Sequence, residues 1–165
     1  MLEMDFKGLA QKNAAKEGSS EPNSGDNSKE KSSRTMTAGE RQYMAHGISG
    51  IRGEAAGGFR SVAEYGLPYF KQCLADGIDF EEAGSLTLLN LITHVTDTNI
   101  IARSDVETQK SLQQEILDML SDGKRPDRSA IEALDEKFIR LNVSPGGCAD
   151  LLAITYFLWL WEQAA

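Results

Sequence analysis

Cys148-Ala149-Asp150-Leu151-Leu152-Ala153-Ile154-Thr155-Tyr156-Phe157-Leu158-Trp159-Leu160-Trp161-Glu162 closes the chain, and its reading decides the fold. It follows Ser144-Pro145-Gly146-Gly147 and reads as one helix from Cys148 to Glu162, with apolar residues on nearly every side. A helix apolar all round belongs at the centre of a bundle, because a surface helix keeps a polar face. Its apolar run, Leu151 to Trp161, is broken by Thr155 and falls short of the ~20 residues that span a bilayer.

Upstream segments carry the same helical period with recognisable punctuation. Asp127 opens a helix on which Ile131, Leu134, Phe138 and Leu141 recur at three- and four-residue steps. Ser104-Asp105-Val106-Glu107 has the form of a capping box, in which Ser and Glu side chains satisfy unpaired amides at a helix start. It predicts a helix to about Ser121 with Leu112, Ile116, Met119 and Leu120 on one face, punctuated by Gly123 and Pro126. Asp79 is the predicted N-cap of a helix over Phe80 to Val95, with Leu86, Leu89 and Ile92 as its stripe. Ser61-Val62-Ala63-Glu64 repeats the capping pattern, Gly66-Leu67-Pro68 interrupts or kinks that helix before Tyr69 to Ala75, and Gly77 ends it. Thr37-Ala38-Gly39-Glu40 is a further box, with a helix to His46 and Gly47 as its stop. No segment alternates as a strand would, and no internal repeat is present. The predicted fold is all-α, a compact helical bundle with a nearly all-apolar C-terminal helix.

The bundle is assigned to residues 37–165. Residues 13–36 are read as a flexible low-complexity linker: from Asn13 to Arg34 the chain has no aromatic, Leu, Ile or Val, so it cannot bury enough apolar area to offset ordering entropy. Leu2, Phe6 and Leu9 predict a short helix over residues 1–12. The chain of 165 residues, 41% hydrophobic and 25% charged, is large enough for one domain with a core. A net charge of −8 argues against general nucleic-acid binding. Cys73 and Cys148 lack metal-type spacing and read as free thiols of a reducing cytoplasm. The first residues lack a basic start followed by an apolar stretch. The expectation is a cytoplasmic protein with no membrane partner.

Chemistry concentrates in three places. Between Tyr43 and Phe59 lie five glycines, with Arg52 and Glu54 among them. Exposed amides plus a guanidinium suit a phosphate, and a carboxylate suits a metal or a hydroxyl; a Gly-rich turn between helices is the alternative. His94-Val95-Thr96-Asp97-Thr98-Asn99 and Asn142-Val143-Ser144-Pro145-Gly146-Gly147-Cys148-Ala149-Asp150 fall at helix boundaries. Asp97 and Asp150 there could hold Mg²⁺. Asp150 also reads as a helix-dipole acid and Asp97 as an N-cap. His94 reads as a structural residue or an acid–base group, and Cys148 as a small buried residue.

Gly47-Ile48-Ser49-Gly50-Ile51-Arg52-Gly53-Glu54-Ala55-Ala56, followed in order by the other two segments, resembles the triphosphoribosyl-dephospho-CoA synthase family, over about Thr37 to the C-terminus and only for its C-terminal half. The resemblance implies transfer of the triphosphoribosyl group of ATP to a hydroxyl of dephospho-CoA with release of adenine. The product is the prosthetic-group precursor of citrate lyase or malonate decarboxylase acyl carrier protein. On that footing Glu54 is the general base or sugar-stabilising carboxylate, with Asp97 beside it in the chemistry. Arg52 and the amides around Gly50 and Gly53 grip phosphate, Asn99 and Ser144 bond ribose or phosphate oxygens, and Asp97 and Asp150 hold Mg²⁺. Thr96 stands where the family often has an acid, and Gly57 and Cys148 where it commonly has serine. A separate N-terminal half or a homodimer partner would complete the site. The alternatives are a truncated, non-catalytic nucleotide-binding or partner subunit and a Mg²⁺-dependent hydrolase of ADP-ribose-like bonds.

Overall fold

The computed structural model describes residues 36, 37, 40, 41, 43, 44, 47, 49–121 and 125–165. The helix expected over 1–12 and, Met36 apart, the linker expected over 13–36 lie outside them. Among the described residues every regular element is helical, which bears out the all-α reading. We label the helices α1 (Gly50–Ala56), α2 (Leu67–Ala75), α3 (Phe80–His94), α4 (Thr98–Arg103), α5 (Val106–Leu120), α6 (Arg128–Arg140) and α7 (Gly146–Ala164). A π-helical turn, Val62–Gly66, runs directly into α2.

Side-chain caps set most of these boundaries. Thr37 and Glu40 close the expected box in both directions: Thr37 N–H donates to Glu40 Oε2 at 2.7 Å and Glu40 N–H to Thr37 Oγ1 at 3.2 Å. Gly47 takes φ +69° and donates to the Tyr43 carbonyl at 2.8 Å, the left-handed stop that glycine adopts without a Cβ penalty. Asp79 and Asp127 cap α3 and α6 through Glu82 N–H and Ala130 N–H, at 3.0 and 2.8 Å. The box expected at Ser104 is displaced by one residue. Asp105 accepts from Thr108 N–H at 2.7 Å, while Ser104 Oγ donates back to the Ile100 carbonyl at 2.8 Å. The box expected at Ser61 does not form, because Ser61 already lies inside the helix and its hydroxyl serves Glu54. Pro68 has no N–H to continue the ladder. The chain widens there to a π turn, closed by Leu67 N–H on the Val62 carbonyl.

The centre of the bundle is α3 rather than the C-terminal helix. Seven of its 15 residues are buried (Ala83, Gly84, Leu86, Thr87, Leu89, Leu91 and Ile92), against four of the 19 in α7 (Gly147, Cys148, Leu151 and Thr155). Small and hydroxyl residues let α3 be enclosed although it reads as less apolar than α7; Thr87 Oγ1 is satisfied by the Ala83 carbonyl at 2.7 Å. α7 packs against α1, the π turn, α2, α3 and α4, yet Phe157, Leu160 and Trp161 along its second half remain exposed. Leu112, Ile116, Leu134 and Phe138 of the stripes predicted for α5 and α6 are buried in the main core with Leu91, Ile92, Ile100 and Leu151. Phe70, Cys73, Ile78, Ala83 and Leu86 form a second cluster, against which Tyr156 and Trp159 pack.

Two contacts fix the end of α3, where the functional segment begins. Gln113 Nε2 donates to the Ile92 and Val95 carbonyls at 2.9 and 3.0 Å, and Gln109 Nε2 to Val95 at 3.2 Å. On the other side, Asn90 Nδ2 donates to the Tyr65 carbonyl of the π turn at 3.1 Å. That turn sits so close to α7 that a Cβ on Gly66 would lie 2.5 Å from Thr155 Oγ1, itself buried and bonded to the Leu151 carbonyl. Gly66→Ala is therefore expected to lose about 1–3 kcal/mol by overpacking, read as a lower urea midpoint at unchanged slope.

Candidate functional site

The glycine-rich stretch folds into the two-turn helix α1 instead of an open phosphate loop. Gly50, Gly53, Glu54 and Gly57 recur at i, i+3, i+4 and i+7, so they share one face. Gly50 takes φ +54°, and a Cβ there would lie 2.6 Å from Thr98 Oγ1 at the start of α4. The Gly53 amide is directed at the Ser49 carbonyl, 3.4 Å away, within the helix. Arg52 is exposed and stands about 200° round the helix from Glu54. The face opposite Arg52 borders an open groove of about 620 Å³. Its other walls are Arg60 and Ser61 before the π turn and His94, Val95 and Thr96 at the end of α3. The guanidinium at this groove is thus Arg60, paired with Glu64 at 2.6 Å, and not Arg52.

Glu54 is half-buried, and both of its oxygens engage the same residue. Oε2 accepts Ser61 N–H at 3.1 Å and Oε1 accepts the Ser61 hydroxyl at 2.7 Å. The first bond satisfies a free amide in the opening turn of the helix that follows, so Glu54 acts as a cap delivered from α1. The two donors fix the plane of the carboxylate and leave it beside the groove with one further lone pair on each oxygen.

Asp97 occupies a different position, enclosed where two helices start. It is 1% exposed, with Oδ1 accepting Asn99 N–H of α4 at 2.8 Å and Oδ2 accepting Cys148 N–H of α7 at 2.8 Å. Gly147 has no side chain because a Cβ there would sit 3.2 Å from Oδ2. One carboxylate thereby caps both helices, where their positive dipole ends converge. Burial, then the Asp97 carboxylate it faces and bonds, then Glu54, push the Cys148 thiol well above the ordinary thiol range. The thiol therefore stays protonated, as expected of a small buried residue.

The magnesium pair expected from sequence does not fit this arrangement. Each Asp97 oxygen takes a backbone N–H in a closed site. Asp150 stands two residues past Cys148, about 200° round α7, and is exposed. Among the described residues no cluster of three or more His, Cys, Asp or Glu could hold a metal. Asn99 is exposed on α4 with its amide against Gly146, whose absent Cβ would meet Nδ2 at 2.7 Å. Ser144 lies apart from the groove, on a second cavity of about 240 Å³ lined by Leu88, Ile92, Leu134, Phe138 and Ile139.

His94, read from the sequence as a structural residue or an acid–base group, lines the groove. Its ring stacks on Tyr65 at a centroid distance of 4.0 Å and 19° between planes. Nδ1 lies 2.9 Å from the Asn90 carbonyl and 2.8 Å from Thr93 Oγ1. The sequence signal for it was its place at the end of α3; the stacking partner, 29 residues earlier, was not visible.

Comparison with known proteins bears on the same segments. The family model for ATP:dephospho-CoA triphosphoribosyl transferase matches residues 5–165. The 2-(5''-triphosphoribosyl)-3'-dephosphocoenzyme-A synthase of Pectobacterium atrosepticum is 42% identical over 133 residues, 81% of this chain and 44% of that protein. Probable synthases of the same name from Albidiferax ferrireducens and Vibrio cholerae are 41% and 37% identical over 126 residues, 74% of this chain. The chain spans less than half the length of these relatives. No solved structure matches it.

Proposed function

The chain belongs to the ATP:dephospho-CoA triphosphoribosyl transferase family, and from that membership we propose that it serves the transfer of the triphosphoribosyl group of ATP to a hydroxyl of dephospho-CoA, with release of adenine. The observation that carries the reading is the fixed Glu54 carboxylate at a groove bordered by glycines, Arg60 and His94. Breaking the bond between adenine and the ribose anomeric carbon builds positive charge on the sugar, as in glycoside chemistry. A carboxylate whose plane is already set stabilises that charge without reorganising. Its two bonds from Ser61 favour this role over that of general base. Gly50, Gly53 and Gly57 line the groove, with the Thr98 and Ser49 hydroxyls packed against Gly50 and Gly53, and Arg60 offers a guanidinium to the triphosphate.

Magnesium would enter with the triphosphate. Asp97 holds the starts of α4 and α7 together. The product would serve as the prosthetic-group precursor of an acyl carrier protein. The test is adenine release from ATP and Mg²⁺ by the purified protein, with and without dephospho-CoA. Release that requires dephospho-CoA, together with a coenzyme product heavier by triphosphoribose, is the expected result. Release with free triphosphoribose as product would replace transfer by hydrolysis, and no release would overturn both.

A further inference from the structure

We propose that His94 is the general base that takes the proton of the attacking dephospho-CoA hydroxyl, an assignment that rests on the transfer reading above. The Asn90 carbonyl, 2.9 Å from Nδ1, can only accept, and the Thr93 hydroxyl, 2.8 Å from Nδ1, donates to that same carbonyl at 2.7 Å, so Nδ1 carries the hydrogen. In the neutral ring this leaves the lone pair on Nε2, and neutral imidazole with one fixed N–H is the form that removes protons. Tyr65, stacked at 4.0 Å, covers one ring face and prevents the ring from turning. With the Nδ1 edge drawn back onto α3, the Nε2 edge is left toward the groove that His94 lines with Glu54 and Arg60. Asn90 ties the arrangement together: its side chain holds the Tyr65 carbonyl while its own carbonyl holds His94.

The work of the reaction is then divided between two groups. The hydroxyl oxygen of the acceptor forms the new bond to the anomeric carbon, and its proton passes to His94 Nε2 and on to solvent. The bond to adenine breaks with its electron pair on the departing base, which takes a proton from solvent. Glu54 remains ionised and faces the sugar. Among the described residues, the charged and titratable groups that share the groove or contact the imidazole are Glu54 from α1, Arg60 with its partner Glu64, and Tyr65.

The experiment compares wild type with His94→Gln and His94→Ala in coenzyme-dependent adenine release across pH 5–9. Expected for both variants is a ~10²–10³-fold lower kcat with the KM for ATP within about threefold. The pH dependence of kcat/KM is expected to differ from that of wild type in both variants, and added imidazole to restore part of the rate to His94→Ala. Variants within threefold of wild-type kcat, with the same pH profile, would overturn the assignment while leaving the transfer reading standing. So would low activity that imidazole does not rescue and whose pH profile is unchanged. A wild-type protein that releases no adenine would overturn the transfer reading, and this assignment with it.

Discussion

Asp97→Ala is expected to lose roughly 3–5 kcal/mol of folding stability, because it leaves one buried and one part-buried amide without an acceptor at ~1–3 kcal/mol each. The amides are those of Asn99 and Cys148, which open α4 and α7. For a domain of this size the melting temperature should fall by roughly 10–20 °C, measured by far-UV circular dichroism. Asp97→Asn is the informative control. Its side chain keeps one acceptor oxygen but turns an NH₂ toward the other backbone N–H, so about half the loss should remain although the shape is conserved. A mainly catalytic Asp97 would give the opposite pattern, with both variants melting near wild type and only turnover falling.

Glu54→Gln should behave in the reverse way. Of the two hydrogens that Glu54 accepts, one comes from Ser61 N–H and the other from the Ser61 hydroxyl. A hydroxyl can rotate and accept. The glutamine oxygen can therefore take the N–H while its NH₂ donates to Ser61 Oγ, and every polar group stays paired. The fold is expected to persist, with a melting temperature within a few degrees of wild type. The rate of coenzyme-dependent adenine release should fall by ~10²–10³-fold, the cost of removing a charge aimed at a developing cation. Near-normal turnover would remove Glu54 from the mechanism. The pair of variants separates two carboxylates that the sequence presents as equals, because the stabilities of the two amide variants depend on what faces each oxygen.

That difference marks where sequence reading reaches its limit. The period and most caps of the long helices follow from local chemistry, so Thr37, Asp79 and Asp127 could be placed from a few residues each, whereas the short α1 and α4 were not expected. Ser61 misled because its capping form is local while its partner, Glu54, arrives from the preceding helix. Asp105 took the position expected of Ser104 because a carboxylate one residue on reaches the Thr108 amide. The centre of the bundle was misplaced for a related reason. Composition favours the Trp- and Leu-rich α7, whereas enclosure depends on which helix has residues small enough for neighbours to approach, and α3 has Ala83 and Gly84.

At the site, the motif glycines, Glu54 and Asp97 were all legible as important residues. Their roles were not, because a role depends on facing. Arg52 and Arg60 are both basic residues of one short stretch, and only the geometry of α1 decides that Arg60 borders the groove. Ser144 and Glu54 belong to motifs of one family but line separate cavities. Asp97 had been read both as metal ligand and as N-cap; its burial and its two amide partners decide for the cap.

The most direct test of the groove as the nucleotide site is titration of the ¹⁵N-labelled protein with ATP and Mg²⁺, followed by amide resonances. Expected are saturable shifts centred on Gly50, Gly53, Gly57, Ser61 and His94, with Phe138, Ile139 and Ser144 little changed. Shifts centred on Phe138, Ile139 and Ser144, with the glycine face of α1 unmoved, would place the nucleotide in the other cavity and contradict the account.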